Sequence, residues 1–479
     1  MTYIAIATLA VGLFTGDWLI AACVATLALP WLLLRSNEGP PVVSLAITLQ
    51  WVAVAIGVFY VYFTGRPLEA TLRSDYRPMV LIGLGCVTSL TLGLFAGSRL
   101  IERRWAPTGT RPDHAFQVPT LLACYPVAVV LVGILQRIAP DYPSIRQVLV
   151  AFTYIKIGFV YLLLRHFVRE SQWGRLAVLL AVETVLGITG FFAGFREPLI
   201  MAILAMLEYF DHRSIRQWAT IGVLVSVLGA LGLIWISIRG DYRERYLSDT
   251  TFSESRSKRV DMLGALASDY VSHASADNFA DVDNLVDRVW AIYYPALAVA
   301  RVPSVLPHTD GQMLTDAVTH ALSPRVFFPD KAALISGSEL VRKYTGLYVA
   351  GDEANTTIAF GYAAESYIDF GIPMMFVPVA VFGFLMGVAY TSLLRLLRHR
   401  DIAVAIVTVI CWMSLDSFER SWAKTLGDAG TLLVYLGGIS YVLDRLWFEK
   451  FKTLYGADAS PVGEMVGDAP SLQLQPHSK

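Results

Sequence analysis

Three stretches of this sequence gather arginines in a pattern suited to holding phosphate. FFAGFREPLI (191–200) sets Arg196 and Glu197 side by side inside an apolar run, and SIRGDYRERY (237–246) carries Arg239, Arg243 and Arg245 at the end of another. Planar guanidinium groups take phosphate oxygens two at a time, which a compact lysine does less well. A lone arginine next to an apolar run ordinarily snorkels to the lipid interface, but several in company read as an anion site at headgroup depth. The third stretch, SPRVFFPDK (323–331), sets Arg325, Asp330 and Lys331 around two prolines and two phenylalanines. Such an amphipathic turn could rest on the interface, or be an ordinary proline-bounded surface loop.

A fourth stretch, FGYAAESYIDFGIP (360–373), offers acid–base chemistry. Its glycines bracket Glu365, two tyrosines and Asp369 just before an apolar run. A carboxylate near the bilayer surface costs free energy unless it is paired or used, so Glu365 reads as an arginine's partner or as a general base. His308, in HTD (308–310), and His320 are alternative bases, although loop histidines are ordinarily just solvated. Tyr362 and Tyr367 could stack on sugar rings, against the commoner role of interfacial tyrosines as membrane anchors. DVDN (281–284) has the look of an Asp-x-Asp metal site, but acidic helix faces produce such triplets readily, so no metal centre is expected. Asn355 opens an NTT glycosylation pattern that is common by chance. The chain has neither a G-x-x-x-x-G-K-[ST] phosphate loop nor H-E-x-x-H, which argues against ATP-driven transport and zinc proteolysis.

The elements that must position these groups follow from composition. The 479 residues are 55% hydrophobic and 16% charged, with mean hydropathy +0.54, well outside the soluble range. Net charge is -1, so no overall field favours nucleic acid. Cys23, Cys86, Cys124 and Cys411 fall in apolar runs without metal-like spacing and read as small buried hydrophobes. The first apolar run lacks a basic leader, which predicts a retained membrane segment rather than a cleaved signal.

Apolar runs near 2–15, 18–34, 42–63, 79–98, 116–136, 148–164, 176–194, 198–210, 218–238, 372–394, 402–416 and 428–447 predict an all-α polytopic membrane bundle of about eleven to twelve helices. The first two runs and the pair around Arg196 are short, which predicts tilted hairpins or broken helices. Arginines cluster at 99, 103, 104 and 111, at 165, 169 and 175, at 213 and 216, and at 395, 398 and 400. The positive-inside rule makes that face cytoplasmic, placing both termini inside and 239–356 outside. Arg66, Arg73 and Arg77 run against this assignment. The predicted organisation is a bundle over 1–238, a large extracytoplasmic segment over 239–371, further spans over 372–447 and a largely disordered cytoplasmic tail over 448–479. Apolar patches such as VWAIYYPALAVA (289–300) predict helices lying on the bundle.

The order of these motifs resembles that of the Wzy-type O-antigen and exopolysaccharide repeat-unit polymerases. The resemblance rests on a G-x-R at Gly194 to Arg196, an R-G at Arg239 and Gly240, PRVFFPDK in the long segment and GYAAESYIDFG before a late span. It covers roughly residues 190 to 395 and implies a GT-C-like helical-bundle glycosyltransferase of the bacterial inner membrane. Such an enzyme polymerises undecaprenyl-pyrophosphate-linked oligosaccharides on the periplasmic side without a nucleotide sugar, metal or other cofactor, beside a chain-length regulator and a flippase. The resemblance makes Arg196, Arg239, Arg243, Arg325 and Lys331 the pyrophosphate or sugar ligands, Glu365 the base with His308 second, and Tyr367 a sugar contact. An O-antigen ligase using the same donor, and a transporter with Glu183 and Lys156 inside the membrane, are the alternatives.

Overall fold

A computed structural model of the chain describes residues 2–34, 39–105, 118–189, 194–211, 213–248, 255–273, 279–323, 325, 328, 331, 334–351, 353 and 357–446. Arg111, Asp330, Asn355 and the 448–479 tail lie outside the described residues. Among the described residues each of the twelve apolar runs is mainly helical. In hydrocarbon a backbone must satisfy its own polar groups, and in an all-α chain only helices do so.

In chain order the N-terminal part comprises α1 (Thr2–Thr15), α2 (Trp18–Leu33), α3 (Val42–Thr64), α4 (Glu69–Arg73), α5 (Tyr76–Arg104), α6 (Val118–Ile138), α7 (Arg146–Thr153), α8 (Ile155–Arg169), α9 (Trp173–Ile188), α10 (Arg196–Glu208) and α11 (Ile215–Ser248). A run of shorter helices follows: α12 (Arg256–His273), α13 (Phe279–Val289), α14 (Tyr293–Arg301), α15 (Gln312–Leu322), α16 (Gly337–Thr345) and α17 (Gly361–Phe370). The chain then closes with α18 (Phe376–Leu396), α19 (Arg400–Leu415), α20 (Trp422–Thr431) and α21 (Gly438–Leu446), the last two joined through Leu432–Gly437. Among the described residues seven helical stretches are long and apolar enough to cross a membrane: Val42–Thr64, Tyr76–Arg104, Val118–Asp141, Arg146–Arg169, Ile215–Tyr246, Phe376–Leu396 and Trp422–Leu446. The short pairs behave as hairpins. α1 packs on α2, and α9 packs on α10 with its tip closed by the Gly194 N–H donating to Gly187 O at 3.1 Å.

The closest helix pair is α5 against α18. Gly93 and Gly97 on one face the backbone of Ala380 and Phe384, while Gly383 and Gly387 on the other face Leu90 and Leu94. A Cβ at Gly97 would sit 2.1 Å from Phe384 O, and one at Gly387 2.2 Å from Leu94 O. Two small-xxx-small stripes therefore interlock, the packing available where lipid removes the hydrophobic drive between helices.

Ionic contacts tie the arginine-rich turns to one end of the bundle. Arg165 bonds Glu208 at 2.9 Å and Asp401 at 3.1 Å, and Arg395 donates to Ile101 O and Glu102 O. The contrary arginines of the opposite end are each neutralised: Arg66 pairs with Asp283, Arg77 with Asp17 at 2.9 Å and Arg73 with Glu69 at 3.4 Å. Asp283, from the Asp-x-Asp triplet, thereby serves as an anchor for the turn after α3.

Between α13 and α14 the chain does more than lie on the bundle. Trp290 is 2% exposed, its indole N–H donates to Val54 O at 2.8 Å, and the Ala291 N–H donates to Ala53 O at 2.9 Å. Both acceptors are mid-helix carbonyls of α3, so this elbow inserts beside the middle of a span. Non-helical backbone at that depth is tolerated because protein surrounds it. Beyond the elbow, α14, α16 and α17 form a second small core around Ala298, Val341, Tyr344 and Ile368.

Candidate functional site

The site is organised by a six-residue turn, residues 416–421, which joins α19 to α20 in an antiparallel hairpin. Most of its shape comes from α17 and α3. Gln50 donates to Leu415 O at 2.7 Å and accepts the Tyr362 hydroxyl at 2.5 Å, and the Tyr362 N–H donates to Arg420 O at 2.8 Å. Gly361 has φ +85°, and a Cβ there would sit 2.4 Å from Phe418 O, so only glycine lets α17 start this close to the turn. Glu365 accepts the Trp422 N–H at 2.7 Å, and Ser366 Oγ accepts the Trp422 indole N–H at 2.8 Å.

Glu365 is thus 5% exposed and holds a helix N-terminus. Burial pushes its carboxyl up to about 8, with the Trp422 N–H opposing and Asp369 adding to the rise. An acid whose pKa is raised on folding contributes stability that is full below the ordinary carboxylate value of 4.5 and lost as pH rises through about 8. Glu365→Gln, which stays neutral, is therefore expected to be silent at pH 5 and to raise the thermal midpoint at pH 8. Thermal denaturation of the detergent-solubilised variant and wild type at both pH values checks this, and a variant less stable at pH 8 would refute it.

From the turn an alternating chain of charges runs to the tip of the α9–α10 hairpin. Arg196, the first residue of α10, reaches Glu197 at 3.3 Å and Asp416 at 3.0 Å. Asp416, 2% exposed at its side chain, also accepts from Arg420 at 2.6 Å, and Arg420 lies 3.8 Å from Asp428. The Arg196 side chain is half-exposed (48%), and among the described residues one Glu197 oxygen is buried without a partner. Along α10 this layer stands about 18 Å from Glu208, and along α19 about 22 Å from Asp401, at 1.5 Å per residue. Both spans are shorter than the roughly 30 Å hydrocarbon core. The Arg196 layer is therefore set inside the bundle relative to the Arg165 layer at its other end.

A cleft of about 280 Å³ opens beside this layer, lined by Arg239, Asn284, Asp287, Arg288, Tyr293, Tyr294 and Glu419 among others. Arg288 Nη1 donates to both Glu419 oxygens, at 2.8 and 3.0 Å. Asp287 accepts the Glu69 N–H at 3.1 Å. Arg239 is half-buried and, among the described residues, makes no ion pair or hydrogen bond. A second cleft of about 290 Å³ lies on the Asp428 side of the turn, with Arg146, Tyr154 and Arg325 in its walls. The turn at 416–421 thus separates two arginine-bearing clefts, and Arg196 is bonded to the turn itself.

The structure bonds Arg196 to the turn at Asp416, puts Arg239 in the cleft that Glu419 of the same turn lines, and sets Arg325 in the second cleft. The other anticipated residues have partners elsewhere. Arg243 lies over the Trp235 ring at 5.9 Å. Lys331 caps the end of α15 by donating to His320 O and to Ser323 O. His308 Nδ1 meets the Tyr367 and Ile368 carbonyls, each at 3.1 Å, and the Tyr367 hydroxyl donates to Val302 O at 3.1 Å. Tyr362 is buried under the turn and lines neither of these two clefts. Lys156 and Glu183 pair with each other at 2.7 Å, with Tyr125 donating to the same carboxylate. The residues that sequence reasoning passed over are Arg288, Asp416, Glu419, Arg420 and Asp428. The DSFER stretch (416–420) was the available signal, three charges in five residues between two apolar runs.

A family model described as a domain of unknown function, DUF8712, matches residues 108–393, more than half of the chain. The chain belongs to the DUF8712 family. No curated protein and no solved structure matches it. The DUF8712 stretch contains Arg196, Arg239, Arg288 and Arg325 together with the Glu365 brace, and it ends within α18. The acids Asp416 and Glu419 that face those arginines lie beyond it. Two of the site's ion pairs, Arg196 with Asp416 and Arg288 with Glu419, therefore join the DUF8712 stretch to the chain beyond it.

Proposed function

We propose that the chain is a membrane glycosyltransferase that joins oligosaccharide repeat units carried on undecaprenyl pyrophosphate into O-antigen or exopolysaccharide. In this reading it sits in the bacterial inner membrane with the Arg239 cleft facing the periplasm, in a GT-C-like bundle, and works beside a flippase and a chain-length regulator. The observation that carries the reading is Arg239, a half-buried guanidinium with no counter-ion among the described residues, in a cleft next to membrane-spanning helices. Such a charge is costly to keep unless an anion arrives to neutralise it. An amphiphile with phosphate at headgroup depth supplies that anion while its chain stays in lipid. Tyr293 and Tyr294, in the same wall, offer ring faces suited to sugars.

In the reaction, the bond between the anomeric carbon and the pyrophosphate oxygen breaks, and its electron pair leaves with the pyrophosphate. Arg239 and Arg196 stabilise that developing charge without reorganising. An acceptor sugar hydroxyl forms the new bond and loses its proton to a carboxylate. Glu365, buried on the Trp422 N–H, holds the turn in place as a positioning residue.

Gel electrophoresis of the surface polysaccharide from a strain lacking the protein tests the proposal. Collapse of the ladder to a single repeat unit, reversed by the wild-type gene and not by Arg239→Ala, is the expected result. Full-length polymer retained on the carrier lipid would point to transfer onto a lipid core, and an unchanged ladder would remove the transferase reading.

A further inference from the structure

Of the carboxylates that border the proposed site, Glu69 and Glu197 pair with Arg73 and Arg196, and bonding separates Asp416, Glu365, Asp287 and Glu419 from one another. Asp416 is almost fully buried between two arginines, Glu365 is buried on a backbone N–H, and Asp287 is engaged by the Glu69 N–H. Glu419 differs. It is 37% exposed at its side chain, lies in the cleft wall with Arg239, and is bonded to Arg288, itself 54% exposed. An exposed ion pair of this kind contributes little stability and exchanges readily. A pyrophosphate entering the cleft offers Arg288 several charged oxygens in place of two.

We infer that Glu419 is a displaceable counter-ion, released from Arg288 when pyrophosphate binds and then positioned to take the proton of the attacking sugar hydroxyl. This rests on the transferase reading above. Before substrate arrives, the Glu419–Arg288 pair neutralises the carboxylate and one of the cleft's two arginines. When the pyrophosphate takes Arg288 and Arg239, Glu419 loses its cation and becomes a better proton acceptor, so base and donor site are armed together. The hydroxyl oxygen then bonds to the anomeric carbon, the hydroxyl proton moves to a Glu419 oxygen, and the electron pair of the broken bond leaves on the pyrophosphate. Glu419 gives its proton to water when the lipid pyrophosphate departs. Its place is fixed by the same turn that Glu365, Tyr362 and Gln50 brace, which accounts for the buried polar contacts spent on six residues.

The test uses the full chain in phosphatidylcholine nanodiscs, titrated with farnesyl pyrophosphate and with inorganic pyrophosphate. Because Glu419 competes for Arg288, Glu419→Gln is expected to bind farnesyl pyrophosphate about threefold to fivefold more tightly than wild type. The same variant is expected to lose at least about 100-fold in polymer formation. A residue that merely supports the fold would weaken both. Arg288→Gln should weaken binding, and a response to the farnesyl compound alone would place the ligand in lipid, whereas a response to both would mark a site for free pyrophosphate. Unchanged or weaker binding by Glu419→Gln overturns the counter-ion, and tighter binding with a full ladder overturns the proton transfer. If the deletion strain keeps its ladder, the transferase reading fails instead, and the binding measurement still decides the counter-ion by itself.

Discussion

Arg196→Ala is expected to reduce polymer formation by about 10²- to 10³-fold while leaving the protein in the membrane at near wild-type level. The first part follows from losing one preorganised cationic donor at the leaving group. The second follows from local bonding. Asp416 keeps Arg420 at 2.6 Å, so removing Arg196 does not strand that buried carboxylate, and Glu197, which loses its cation, is 26% exposed at its side chain. Arg196→Lys should recover only part of the activity, because a single ammonium offers the departing pyrophosphate no bidentate fork, even though one nitrogen, Nη2, makes both contacts to Glu197 and Asp416. Ladder intensity, measured against immunoblotted protein in the same membranes, separates the outcomes. A parallel fall in protein and ladder would make Arg196 a folding residue, and a full ladder from the alanine variant would remove it from the site.

The largest structural effect is expected at Gly387. A side chain there points at Leu94 O from 2.2 Å and at the Leu94 carbonyl carbon from 2.9 Å, and backbone cannot swing aside as a flexible side chain would. Gly387→Leu should therefore part α5 from α18, at a cost of about 3 kcal/mol or more. Those helices carry the bundle between the α3 elbow and the α19 hairpin, so yield in the membrane and thermal midpoint in detergent should both drop sharply. Gly133→Ala is the control. Nothing lies within 4 Å of the added methyl group, and alanine favours an exposed helix by up to about 1 kcal/mol. Equal yields from the two variants would mean that the glycine stripes do not hold the pair together.

The helices were legible because apolar runs in lipid have few alternatives, whereas the short runs before and after Arg196 fitted a tilted hairpin or a broken helix equally, and only the packing of α9 on α10 distinguishes them. The arginines that run against the orientation rule each have an acid 4 to 217 positions away. Distances of that kind leave no local trace. The same holds for Arg288 and Glu419, which are 131 residues apart. Lys156 and Glu183 could be singled out as intramembrane ions, whereas their pairing across two helices required coordinates. Glu365 was conspicuous as a carboxylate in an aromatic, glycine-bracketed motif, but the composition of the motif fits a brace as well as a base. The bond that makes it a brace, from the Trp422 N–H, is supplied by a helix 57 residues later.

The Trp290 elbow bears on how the chain is made. Its seat is the middle of α3, and the two partners of the indole hydrogen bond are 236 residues apart. At synthesis rates of 5–20 residues per second, α3 waits about 10–50 s before the residue that fills its flank leaves the ribosome. During that interval the notch beside Gly57 has to be occupied by lipid or by another helix, and the elbow must evict that occupant to dock. Assembly therefore has an order: the first helices form a vestibule, and the segment carrying Arg288 is installed into it as a later component.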